Sequence, residues 1–145
     1  MKKILILITC LLAAPTIALA DDDKPITVDQ LPARAQQFIQ QHFSGVKISY
    51  AKQDSDWFDK NYEVFFVDGN KVEFRKNGDW KEVDCQYNEI PAGIVPAEID
   101  AFVAQNHTGR KIVKIDRDSR DYEVELDNDL DLKFDMRYNL IGYDD

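Results

Sequence analysis

The chain has 145 residues, a usual length for one domain with a real core, and 27 acidic against 18 basic residues give it a net charge of −9. Such a charge repels phosphate backbones and anionic lipid, and no basic cluster stands out against it, so nucleic acid and membrane surfaces are excluded as expected partners.

Residues 1–20 form three zones: Lys2 and Lys3, the apolar run Ile4 to Leu12, and a small-residue end closing with Ala18-Leu19-Ala20. This is the pattern of a secretory signal peptide. The run is short for a membrane span, and the following Asp21-Asp22-Asp23 is acidic where a stop-transfer flank is basic. The expectation is cleavage after Ala20, a domain of residues 21–145, no membrane insertion, and a periplasmic or secreted location. Cys10 lies in the leader, so Cys85 is left without an intrachain partner and reads as a small buried residue of a strand.

A helix is expected over 32–43, opened by Pro32 in its first turn, with Ala35, Phe38, Ile39 and Phe43 at helical spacing and Gly45 beyond its end. The segment 46–53 has an ambiguous phase, with Ile48 and Tyr50 on one apparent face. Beyond it Tyr62, Val64 and Phe66 alternate with Asn61, Glu63 and Phe65, the period of a strand with one face toward a core. Asp68-Gly69-Asn70 turns the chain into Lys71 to Arg75, and Asn77-Gly78 turns it into Trp80 to Tyr87.

The pattern then starts again. Leu31-Pro32-Ala33 corresponds to Val95-Pro96-Ala97 and Phe38-Ile39 to Phe102-Val103, which places a second helix over 96–107 ended by Gly109. Tyr62-Glu63-Val64 corresponds to Tyr122-Glu123-Val124, Val72 to Leu132, and Phe74 to Phe134, with turns at Asp127-Asn128-Asp129 and near Tyr138-Asn139. The offset changes by four residues inside the loop between Lys52 and Asn61. The strand at 111–117 shares the ambiguity of 46–53, because Val113 and Ile115 favour the opposite phase. The expected fold is therefore α+β: two tandem helix-plus-four-strand repeats, about 27–87 and 90–143, forming one antiparallel sheet with both helices on one face and the other face open.

The run of Leu31-Pro32, Phe38-Ile39, Tyr62-Glu63-Val64, Val72-Glu73-Phe74 and Asn77-Gly78-Asp79-Trp80 resembles the PepSY-like family, and both copies fit over 27–143. The second copy departs at Tyr138 and Leu140, where the first has Gly78 and Trp80. The resemblance implies the fold of the β-lactamase-inhibitor protein and, because PepSY modules occur in propeptides of secreted peptidases, an inhibitory or regulatory role. It supplies no functional residue, since the matching positions are those of core and turns.

No catalytic constellation is present. His42 and His107 are the two imidazoles and fall near helix ends at non-equivalent positions, and the motifs for zinc, phosphate loops and nucleophile elbows are absent. The expectation is a non-enzyme without a cofactor, calcium being the one left open. Asp127, Asp129 and Asp131 alternate around a turn like the start of a calcium loop, with Asp116, Asp118 and Asp144-Asp145 elsewhere among the acids. Leu132 and Tyr138 stand where the loop glycine and the bidentate glutamate belong, which excludes an EF-hand. The other candidate is a protein-binding patch. Phe65 and Val67 fall on the open face where the second copy has Glu125 and Asp127, and Trp57, Phe58 and Trp80 would extend it with aromatic anchors. The leading expectation is thus a binding module that holds a protein partner, such as a secreted hydrolase it restrains; the alternative is a calcium-responsive envelope protein.

Overall fold

The structure is a computed structural model, and it describes residues 23–55 and 58–144. The leader, its cleavage point and Trp57 lie outside the described residues. Strands β1 (Lys24–Ile26), β2 (Ile48–Ser55), β3 (Lys60–Phe66), β4 (Lys71–Arg75), β5 (Trp80–Asp84), β6 (Ile112–Arg117), β7 (Asp121–Leu126), β8 (Asp131–Asp135) and β9 (Leu140–Asp144) form one sheet in sequence order, and every neighbouring pair is antiparallel. Helix α1 (Ala33–His42) precedes β2 and helix α2 (Ala97–Asn106) precedes β6. The short edge strand β1, paired to β2, has no counterpart in the sequence expectation: three residues carry too little alternation to read.

Both helices pack on the same side. Val64, Val72, Val83, Ile115, Val124 and Leu132 are directly opposite one another across six strands, so their side chains share a face, and each is fully buried. Phe38 of α1 meets Phe74 edge-on at 5.6 Å, and Phe102 of α2 meets Phe134 the same way at 5.4 Å. These contacts combine area burial with the favoured edge-to-face ring geometry. Pro32 and Pro96 adopt extended backbone and sit at the N-cap, one position ahead of the helical turn expected for them.

Four bulges account for what alternation misreads. Register shifts between Ile48 and Tyr50, and between Ile112 and Lys114, insert one residue into the first strand after each helix. Ile112 and Val113 are consequently both buried, and Ile48 and Tyr50, expected on one face, are separated, with Tyr50 turned outward and 53% exposed. Two further shifts, at Glu73/Phe74 and Lys133/Phe134, align Trp80 with Phe74 and Leu140 with Phe134. Trp80 is thereby carried to the helix-bearing face, where its ring lies 6.4 Å from Phe38.

The turns match in pairs. Gly69 (φ +90°) and Asp129 (φ +64°) donate to the carbonyls of Phe66 and Leu126, while Gly78 (φ +87°) and Tyr138 (φ +66°) donate to those of Arg75 and Asp135. Tyr138 therefore keeps the turn that Gly78 makes, although it pays the left-handed backbone cost of a non-glycine residue.

Candidate functional site

The face of the sheet away from the helices carries no covering element among the described residues, and its side chains fall into two cross-strand rows. One reads Lys52, Glu63, Glu73, Glu82, Asp116, Glu123 and Lys133 across β2 to β8. Five acids in direct register on successive strands repel one another, because like charges opposite in a ladder are destabilising. Lysines threaded between them offset this. Lys52 lies 2.7 Å from Glu63, Lys71 2.7 Å from Glu82, Lys81 2.9 Å from Glu73, and Lys114 3.4 Å from Asp116. Even so, acids outnumber the bases that meet them on this face.

Glu82 and Asp116 face each other on β5 and β6, the strands that join the two helix-plus-sheet halves. Burial, followed by the hydrogen bond and charge of Glu82, pushes the Asp116 carboxyl up to about 7. Burial works against the Glu82 carboxylate, but hydrogen bonds from Asp116 and Lys71 and the charges of Lys71 and Lys114 hold it below its ordinary value. The pair thus shares a proton at neutral pH. The folded state keeps the Asp116 proton to higher pH than the unfolded chain does, so Asp116 lowers stability as pH rises from about 4 to about 7. Glu82 acts oppositely and withdraws stability as pH falls through its depressed value. A shift of that size on Asp116 would be worth about 4 kcal/mol if unscreened; at 37% side-chain exposure we expect about 1–2 kcal/mol. Thermal melts between pH 5 and pH 8 check this: the wild-type chain loses stability across that range, and Asp116→Asn flattens the loss.

The second row reads Tyr50, Phe65, Lys71, Asp84, Lys114, Glu125, Asp131 and Asp144. Its β2–β3 end is apolar. Tyr50 and Phe65 stack with ring centroids 4.5 Å apart and planes 14° from parallel, the Lys52 ammonium lies 5.9 Å from the Phe65 centroid, and Val67, just past the end of β3, is 63% exposed. Phe58, in the β2–β3 connection, is 96% exposed. The structure accordingly divides the expected aromatic patch. Phe65 and Val67 are together on the open face, joined by Tyr50, whose phase the sequence left ambiguous. Phe58 stands at the hairpin end, and Trp80 is on the other side of the sheet, beneath the Arg117 guanidinium at 4.0 Å.

The expected calcium residues are divided as well. Asp127 and Asp129 line a cleft of about 610 Å³ with Asp84 and Glu125, whereas Asp131 is on the open face opposite Glu125 and Asp144. Asp127 also lies 3.7 Å from Arg110. Burial, then the charge of Asp131, raises the Glu125 carboxyl. Asp84 and Glu125 were not singled out from sequence; their signal was the outward position they hold in alternating strands. Among the described residues no group of three or more side chains is arranged to hold a metal ion.

His42 packs on Phe38 at 4.7 Å, and His107 caps α2 with its ring 6.0 Å from Tyr143. Neither meets a nucleophile. Cys85 is fully buried, and burial, followed by the nearby charges of Asp84 and Asp68, pushes its thiol up to about 12, so it holds no reactive thiolate at neutral pH.

The family model described as putative beta-lactamase-inhibitor-like, PepSY-like matches residues 60–142. A solved structure of a putative calcium-regulated periplasmic protein from Bacteroides thetaiotaomicron is 54% identical, with a TM-score of 0.85, covering 87% of this chain and 99% of that one. A putative periplasmic protein from Bacteroides vulgatus is 51% identical, with a TM-score of 0.84 and the same coverage of both chains. A second Bacteroides vulgatus periplasmic protein, of unknown function, is 34% identical, with a TM-score of 0.81 over 85% of this chain and 99% of that one. No curated protein matches significantly. Among the described residues no helix is long and apolar enough to cross a membrane.

Proposed function

The chain belongs to the PepSY-like family, and from that premise we propose that it is a non-catalytic periplasmic module that binds a protein through its open sheet face. The observation that carries this reading is the stacked Tyr50–Phe65 pair beside exposed Val67, set against a row of acids in excess of their lysines. A partner surface with an apolar anchor ringed by basic side chains complements it, since aromatic anchors supply affinity and opposite charge supplies register and encounter rate. Restraint of a secreted hydrolase is the role we assign to that contact, in keeping with the inhibitor-like description of the family. The two helix-plus-four-strand units are, on this reading, copies of one module: the paired turns and the paired bulges support the duplication, and the aromatic corner is where the copies diverged. Phe65→Asp is expected to weaken the purified complex by about 2 kcal/mol, roughly thirtyfold, while melting stays cooperative. Titration calorimetry checks it, and an unchanged affinity removes the open face from the site.

A second reading, calcium binding, is favoured by the cleft that gathers Asp84, Glu125, Asp127 and Asp129 and by the calcium-regulated description of the Bacteroides thetaiotaomicron relative. Calcium at ten times its dissociation constant would stabilise the fold by about 1.4 kcal/mol. A melting-temperature rise in millimolar calcium, lost in Asp127→Asn with Asp129→Asn and kept in Asp131→Asn, is the expected result. No rise in the wild-type chain ends this reading.

A further inference from the structure

Four basic residues gather at one end of the sheet. There the start of β3, the β4–β5 turn and the β6–β7 turn enclose a cleft of about 600 Å³. Lys60, Arg75, Lys76 and Lys81 line it together with Asn61 and Ser119. Lys81 is paired with Glu73, but among the described residues no carboxylate pairs with Lys60, Arg75 or Lys76. Two acids also reach the cleft. Asp118 is engaged by the backbone N–H groups of Arg120 and Asp121, at 2.6 and 3.0 Å, which leaves Asp59 as the uncommitted one.

The arginine is held in place. Its Nη2 donates to the Arg117 carbonyl at 2.6 Å, while Arg117 donates through Nε to the Trp80 carbonyl at 2.8 Å and stacks on the Trp80 ring. A guanidinium fixed in this way keeps its remaining N–H donors oriented without a further loss of side-chain freedom, which is the condition for tight anion recognition. The fold does not demand these residues. At the topologically equivalent end of the second half, Asp121 pairs with Asp135 where the first half pairs Asn61 with Arg75, and Met136 and Ile141 stand in the places of Lys76 and Lys81.

We propose that this cleft is a binding site for a compact polyanion, a small molecule bearing phosphate groups or clustered carboxylates. Arg75 supplies the bidentate fork, Lys60, whose ammonium stands 5.4 Å from the Tyr62 ring centroid, and Lys76 supply ammonium charges, and Ser119 and Asn61 supply neutral hydrogen bonds. The excess of positive charge is local, so in a strongly acidic chain the anion is drawn to this end and repelled elsewhere. The site shares none of its residues with the aromatic corner, and it stands or falls independently of partner binding there.

Pyrophosphate and citrate, each titrated into the isotope-labelled chain at physiological ionic strength and followed by amide chemical shifts, test the proposal. The expected result is saturable shifts centred on Asn61, Lys76 and Ser119, the tighter probe telling phosphate from carboxylate chemistry. Lys60→Gln with Lys76→Gln, whose ammonium groups make no hydrogen bond among the described residues, should weaken binding by about tenfold or more with melting unchanged. Arg75→Gln should weaken it further. Shifts that fail to saturate with either probe, or that saturate equally in the double variant, overturn the site.

Discussion

Phe74→Ala is expected to destabilise the fold by about 4 kcal/mol, a large fraction of the total stability of a domain of this size. Phe74 is fully buried, aligned with Trp80 on one side and Tyr62 on the other, and struck edge-on by Phe38. Removing its ring leaves a cavity between α1 and the sheet that neither a proline-started helix nor four hydrogen-bonded strands can close. Phe134 occupies the matching place under Phe102 and is also fully buried, so Phe134→Ala should cost a similar amount. Denaturant unfolding checks both: the midpoint falls while the slope is retained. A loss under about 1 kcal/mol would mean that the helices do not rest on these rings.

Gly78→Ala is expected to cost about 2–3 kcal/mol, from two additive sources. The turn needs φ of +87°, and a Cβ there would stand 2.9 Å from the Cβ atoms of both Arg34 and Pro32. Those atoms belong to the start of α1, so relief requires moving the helix off the sheet. Tyr138 accepts the same backbone twist in the second half and instead packs near Tyr122, with ring centroids 5.5 Å apart. Transplanting the second half's residue as Gly78→Tyr should therefore be worse than alanine, a comparison that separates steric cost from backbone cost in the same unfolding experiment.

Much of this architecture was legible in the residues. Tyr62-Glu63-Val64 and Tyr122-Glu123-Val124 alternate cleanly because one face of each strand is dry, and both helices announce themselves through a proline and an apolar stripe. What stayed hidden follows from bulges. One inserted residue inverts the face of everything beyond it, and periodicity cannot place the insertion; this is why the phase of 46–53 stayed ambiguous at Tyr50 and why Trp80 was grouped with the open-face patch. Of the residues expected in the aromatic patch, Phe65 and Val67 lie on the open face beside Tyr50, and Trp80 lies on the helix-bearing side. The row of acids from Glu63 to Glu123 escaped notice for another reason. Each acid looks like an ordinary solvent-facing residue of its own strand, and only register shows that all five are neighbours. The cationic cleft is likewise a product of three separate turns, which no linear spacing connects.

Placing a photo-crosslinking residue at Phe65, on the open face, and at Gln40, exposed on α1, asks most directly whether the sheet surface is what the protein uses. With the proposed protein partner present, the account predicts a discrete adduct from position 65 that untagged wild-type chain competes away, and none from position 40. Adducts formed equally from both positions, or only from the helix side, would contradict it.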